Sequence, residues 1–201
     1  MFRISHGRLC CLLMVMAVAA MLWTPVTAQD EERVPDPHAL TLGELVEWQI
    51  KLMAQKEWLK ALVFCNQSIK DEGDGALQQW GPLFGSIYYR KGFCEMKLKR
   101  WPEAMKSFEI CHRDFRNVAG AMNRNDFEHV ALLRWADAAM ATEKWQIAVN
   151  VLEDYLATKD VVGPFKPDEA FFKAAQCYEE LGNDKKAAEY RAKALELHKK
   201  P

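Results

Sequence analysis

The sequence predicts an all-α protein of about four antiparallel helical hairpins stacked side by side. Three observations predict it. A short pattern, W-x-x-A, recurs at Trp58 and Ala61, at Trp101 and Ala104, and at Trp145 and Ala148. A fourth copy keeps the alanine, Ala187, and replaces the tryptophan with Asp184. The alanines lie 43, 44 and 39 residues apart, and self-similarity at a period of about 20–50 residues marks a repeat architecture. Apolar residues recur at helical spacing from residue 42 onward. The best strand candidate, Val161-Val162, is too short to matter. Finally, each pair of helices is apolar on more than one side, which a single hairpin cannot bury but a stacked neighbour can.

The totals set limits. With 201 residues, half of them hydrophobic, the chain suits one domain with a modest core. A net charge of −1 without a clustered basic block argues against nucleic acid. The N-terminus has the layout of a secretory signal. Arg3 and Arg8 give a positive start, residues 9–23 are an unbroken apolar run, Thr24-Pro25 ends it, and Val26-Thr27-Ala28 offers small residues. At 15 residues the run falls short of the roughly 20 that span a bilayer. The expectation is a signal peptide over 1–28, cleaved after Ala28, and a periplasmic or extracellular protein. An uncleaved N-terminal anchor is the alternative, and the only membrane contact expected. Arg8-Leu9 before Cys10 does not fit a lipobox. The remaining thiols, Cys65, Cys94, Cys111 and Cys177, fall inside helical patterns and read as buried free cysteines.

Residues 29–39 are acidic, hold Pro35 and Pro37, and read as a flexible linker. The repeat domain follows over 40–199. Thr41-Leu42-Gly43-Glu44 has the form of a capping box, and Leu42, Leu45, Val46, Ile50, Leu52 and Met53 continue a helix to about residue 55. A polar turn leads to a second helix over about 58–70, and Asp71 to Gly75 break it. Pro82 suits the first turn of a third helix. Its partner opens at Trp101-Pro102 and runs through Cys111. A polar loop follows, with Asp126 as a candidate N-cap for a helix over 127–142. The next helix covers about 145–157. Gly163, Pro164 and Pro167 separate it from the last pair, over about 168–181 and 184–198, with Gly182 at the turn.

These residues resemble the tetratricopeptide repeat family. The last pair, with Tyr178, Gly182-Asn183, Ala187 and Ala194-Leu195, is similar to the family pattern almost residue for residue. In the second copy Gly92, Ala104 and Phe108 fall at the family's two small positions and the aromatic one. In the third, Ala136, Ala148 and Leu152 match. The first copy departs: Gln49 stands where Gly or Ala is expected, and Cys65 takes the aromatic position. Family repeats run about 34 residues; the extra length here lies between hairpins, as in looser exported bacterial repeats. The resemblance implies a right-handed α-solenoid whose first helices line a concave groove. It places three rows there. The first is Val46, Tyr89, Leu133 and Phe172. The second is Ile50, Phe93, Asp137 and Gln176, and the third Met53, Met96, Met140 and Glu179. The predicted partner-binding residues are the apolar members: Val46, Ile50, Met53, Tyr89, Phe93, Met96, Leu133, Met140 and Phe172.

The resulting expectation is a protein-binding scaffold or adaptor in envelope assembly or complex organisation, with a protein or peptide partner and without cofactor or metal. The alternative is a non-catalytic accessory subunit of an envelope enzyme or transport complex. Gripping a terminal carboxylate, as chaperone-binding members do, is argued against by Val46 and Ile50 at the corresponding positions. Catalysis has little support. His112-Arg113-Asp114 resembles a kinase triplet but has no later Asn, D-F-G or Gly-rich loop behind it. Cys111 and His112, adjacent on a helix, point about 100° apart. Glu179-Glu180 and Asp168-Glu169 read as solvated charge.

Overall fold

The computed structural model describes residues 33–72, 81–115, 127–158 and 166–198. Its contacts divide the chain after Asp36, and the helical unit begins at Pro37. Among the described residues eight α-helices follow one another: α1 (Leu42–Ala54), α2 (Trp58–Glu72), α3 (Gly81–Lys97), α4 (Trp101–Arg113), α5 (Glu128–Met140), α6 (Trp145–Ala157), α7 (Pro167–Glu180) and α8 (Asp184–His198). There is no strand among the described residues. Each helix packs on the next in sequence, and first helices also touch, α1 with α3 and α3 with α5. This is the contact pattern of stacked hairpins.

The first helix is capped as its sequence predicts. Thr41 N–H donates to Glu44 Oε2 at 2.8 Å, and Glu44 N–H returns to Thr41 Oγ1 at 3.5 Å. The Thr41 bonds, its side chain's first, hold the Glu44 carboxyl below its usual range. Upstream, the presumed linker ends in structure: Pro37–Ala39 form a short 3-10 turn that packs against α2. The third hairpin's cap also differs from expectation. Phe127 occupies the N-cap without a side-chain bond, and Asp126 lies outside the described residues. The last hairpin starts one residue early, at Pro167, because proline suits the first helical turn.

All four signature alanines are buried. Ala61, Ala104 and Ala148 are 0% exposed and Ala187 is 2%. The tryptophans at the head of α2, α4 and α6 are half-buried packing groups; Trp58 meets the Phe93 ring edge-on at 5.9 Å, tying α2 to α3. A second small-residue register explains the degenerate first copy. Gly92 faces Phe108 so closely that an added Cβ would stand 2.8 Å from the ring. In the first hairpin the sizes are exchanged. Gln49 takes the glycine's place and Cys65 the phenylalanine's, both fully buried. The longer Gln49 side chain is satisfied by Ser68 Oγ at 2.8 Å, within reach of the Phe64 carbonyl at 3.5 Å. Ala136 and Leu152 hold the same register in the third hairpin with intermediate sizes.

The turns within hairpins also repeat. Lys56, Lys99 and Glu143 have φ of 61°, 59° and 57°, and Gly182 has 71°. Each ends a first helix in the left-handed conformation that glycine usually supplies. Among the described residues Cys65, Cys94, Cys111 and Cys177 are buried and in no disulfide, as the sequence suggests. Cys111 donates to the Gly85 carbonyl at 3.1 Å. Burial pushes the Cys177 thiol up to about 11.

Candidate functional site

The first helices α1, α3, α5 and α7 carry the three rows named from sequence. Ile50 is 53% exposed and Phe172 39%. Val46, Met53, Tyr89, Phe93, Met96 and Met140 are half-buried, and Asp137 also sits part-way in. Leu133 departs from its assignment. At 6% exposure it belongs to the core shared by hairpins two to four, where α5 packs against α3, α4 and α6. The aromatic members cluster at α3. The Tyr89 ring lies 6.3 Å from Phe93, 6.0 Å from Phe108 and 5.0 Å from Phe127. These separations suit offset or tilted ring packing. Burial raises the Tyr89 hydroxyl's pKa, against a hydrogen bond with Arg134.

That bond introduces a row the sequence reading passed over. One residue after Val46, Tyr89, Leu133 and Phe172 stand Glu47, Arg90, Arg134 and Lys173. Three cations thus share one register. Arg90 reaches both neighbouring hairpins. Its Nη1 donates to Gln49 Oε1 of α1 at 3.5 Å and to Ser86 Oγ of α3 at 3.0 Å, and its guanidinium lies over the Phe127 ring at 5.8 Å. A side chain that touches residues on both sides of its own hairpin lies in the layer formed by the first helices. Asp137 joins the other two cations. It accepts from Arg134 Nη1 at 2.9 Å and from Lys173 Nζ at 2.6 Å. Lys173 is paired again, with Glu169, at 2.6 Å.

The three cations therefore differ in state. Arg134 is half-buried, which would lower its pKa, but Asp137 outweighs that and the pKa rises. Arg90 has neutral partners, and burial lowers its pKa. Further along α3, the exposed Lys97 places its ammonium 5.1 Å from the Phe93 ring. The missed row was visible as a period: Arg90 and Arg134 are 44 apart and Arg134 and Lys173 are 39 apart, the spacings of the alanines.

The charged groups at the helix ends are engaged in ion pairs. Arg113 is paired with Asp114 at 2.6 Å and Glu109 at 3.4 Å, Glu179 with Arg191, and Asp168 with His198 at 3.5 Å. Among the described residues no group of acidic, His and Cys side chains could hold a metal, and no helix is long and apolar enough to cross a membrane.

Residues 169–200 match the family model described as tetratricopeptide repeat. Solved structures match over much more of the chain. The nearly identical TPR-like repeats of Podosopora anserina align over 92% of this chain and 82% of theirs, at 17% identity and a TM-score of 0.62. The fold is a tetratricopeptide-like solenoid. The BtubC protein from P. vanneervenii aligns over 84% of this chain and 66% of its own, at 16% identity and a TM-score of 0.65. The pilF protein of Pseudomonas aeruginosa gives 80% and 63%, at 14% identity and a TM-score of 0.56. No curated protein matches in sequence. Tetratricopeptide-like solenoids generally serve as protein-interaction scaffolds, and stacked repeats of this kind form extended concave surfaces.

Proposed function

We propose that this protein is a non-catalytic, exported scaffold that captures a segment of another protein on the face formed by its first helices. The observation that supports it most directly is the run of accessible apolar side chains along that face. Ile50 and Phe172 stand in solvent, with Phe93, Met96 and Met140 half-exposed between them. Exposed apolar groups that line up across repeats suit a partner better than they suit water. Methionines at one register add a surface that adapts its shape. Export rests on the N-terminal charge, apolar run and small-residue site, and an envelope assembly role is part of the same proposal.

The face is tested with Ile50→Asp and Phe172→Asp, chosen because both side chains are exposed and the fold should survive. Circular dichroism should be unchanged, and cross-linking of the natural partner in envelope extract should fall by at least ten-fold. Undiminished capture by the folded double variant would sink the reading. N-terminal sequencing of the exported protein should begin at Gln29; a start at Met1 would refute cleavage.

A further inference from the structure

The α3 helix carries a stripe of different chemistry within this face. Arg90, Phe93 and Lys97 follow each other at spacings of three and four residues, so they lie on one side of the helix. The two cations flank the aromatic ring. Among the described residues neither has a carboxylate partner, whereas Arg134 and Lys173, at the register of Arg90, are both paired with Asp137, and Lys173 with Glu169 as well. Arg90 is the more telling of the two. It is partly withdrawn from water, and its contacts are an amide, a hydroxyl and a ring. A guanidinium so placed gains from a charge-assisted bond that the described residues do not supply.

From this geometry we infer that the bound segment is acidic, setting one side-chain carboxylate on Arg90, a second on Lys97, and an apolar side chain between them on Phe93. The inference rests on the first-helix face being the binding face, and it names the occupant. Seven residues of helix rise about 10 Å, which an extended segment covers in about three residues. Side chains of an extended segment alternate between its two faces, so the motif is an acid, an apolar residue and a second acid at alternate positions, the long Arg90 and Lys97 side chains taking up the difference in span. Nucleic acid fits poorly, because the neighbouring cations along the face are already paired and a polyanion needs several free ones. A C-terminal carboxylate fits poorly as well, since the next cation in line, Arg134, is held by Asp137.

The test is a selection of random twelve-residue peptides, displayed with their C-termini fused, on the immobilised full-length protein. Enriched sequences should carry the acid–apolar–acid pattern. For a synthetic, amidated peptide of such a sequence, fluorescence anisotropy should show binding weakened at least ten-fold by exchanging the first Glu for Gln, and similarly by Arg90→Gln in the protein. The two changes together should cost little more than either alone. The peptide exchange leaves the protein untouched, so it stands even where Arg90→Gln disturbs folding. Peptides that lose affinity with Ile50→Asp but not with their own Glu→Gln exchange would overturn the acidic occupant and leave the face standing. Enriched peptides indifferent to Ile50→Asp, Phe172→Asp and Arg90→Gln, or no enrichment at all, would overturn both.

Discussion

Replacing Gly92 with alanine tests the close helix contact on which the second hairpin depends. The new Cβ would meet three Phe108 ring atoms at 2.8, 2.9 and 3.0 Å, where ordinary contact begins near 3.4 Å. The ring would have to retreat by about 0.6 Å to relieve the shortest of these. It has little room, being fully buried with the Tyr89 ring 6.0 Å away. Overpacking of this kind costs about 1–3 kcal/mol. Alanine's better helix propensity returns about 1 kcal/mol. The net expectation is a loss of about 1 kcal/mol, read as a lower urea midpoint at unchanged slope in circular dichroism. Gly43→Ala is the control: nothing lies within 4 Å of its added Cβ, so it should be neutral or stabilising by up to about 1 kcal/mol. Phe108→Leu alone should destabilise by removing buried ring volume. Combined with Gly92→Ala it should recover stability, because Ala and Leu fill this register at Ala136 and Leu152 in the third hairpin. A Gly92→Ala protein as stable as the parent, or strict additivity in the double variant, would refute the close-contact explanation.

Three further outcomes are expected. Lys99→Gly should raise stability by about 0.5–1 kcal/mol in urea titration, since a left-handed residue with a side chain costs about 1–2 kcal/mol and glycine's added freedom in the unfolded chain takes part of that back; Gly182→Ala should lower it. Asp137→Asn should cost about 1–2 kcal/mol in the same assay by leaving Arg134 and Lys173 facing each other with one carboxylate fewer. The Glu153 cluster sets a pH dependence. Burial would raise the Glu153 pKa, but hydrogen bonds from Tyr178, Tyr190 and Lys186 bring it below its usual range. The stability this contributes is present above about pH 4.3 and is lost as pH falls through the lowered value. At the other end, burial and then Glu153 push the Tyr178 hydroxyl up to about 12. That contribution is present below about pH 10 and is lost as pH rises toward 12. Glu153→Gln should flatten both arms of a melting-temperature profile, and an unchanged profile would contradict the assignment.

The repeat and its helices were legible because they rest on local signals. The Thr41–Glu44 capping box, the alanine period and the helical spacing of apolar residues each have one physical meaning. The face was legible only in part. Leu133 has the sequence character of Val46, and only the hairpins packed around it decide that one is buried and the other half-exposed. The Gln49–Cys65 exchange looks like degeneracy in a single copy and becomes complementary volume once the two helices face each other. The charges were harder. Arg90, Arg134 and Lys173 share a register, yet their difference comes from Asp137, a residue read from sequence as an interruption in an apolar row. The left-handed turns at Lys56, Lys99 and Glu143 give no composition signal, since neither Lys nor Glu favours that conformation.

Those turns have a consequence for rearranging the molecule. The left-handed residue stands five positions before the buried alanine in every hairpin, whatever its side chain, while the spacing between hairpins varies. Length can therefore change between hairpins but not within them. One residue added at Lys99 would swing α4 by about 100° and carry Ala104 off the contact, whereas exchanging whole hairpins at the connecting loops would keep every register intact. The chain is in that sense already divided into interchangeable parts, with the cuts lying outside the turns.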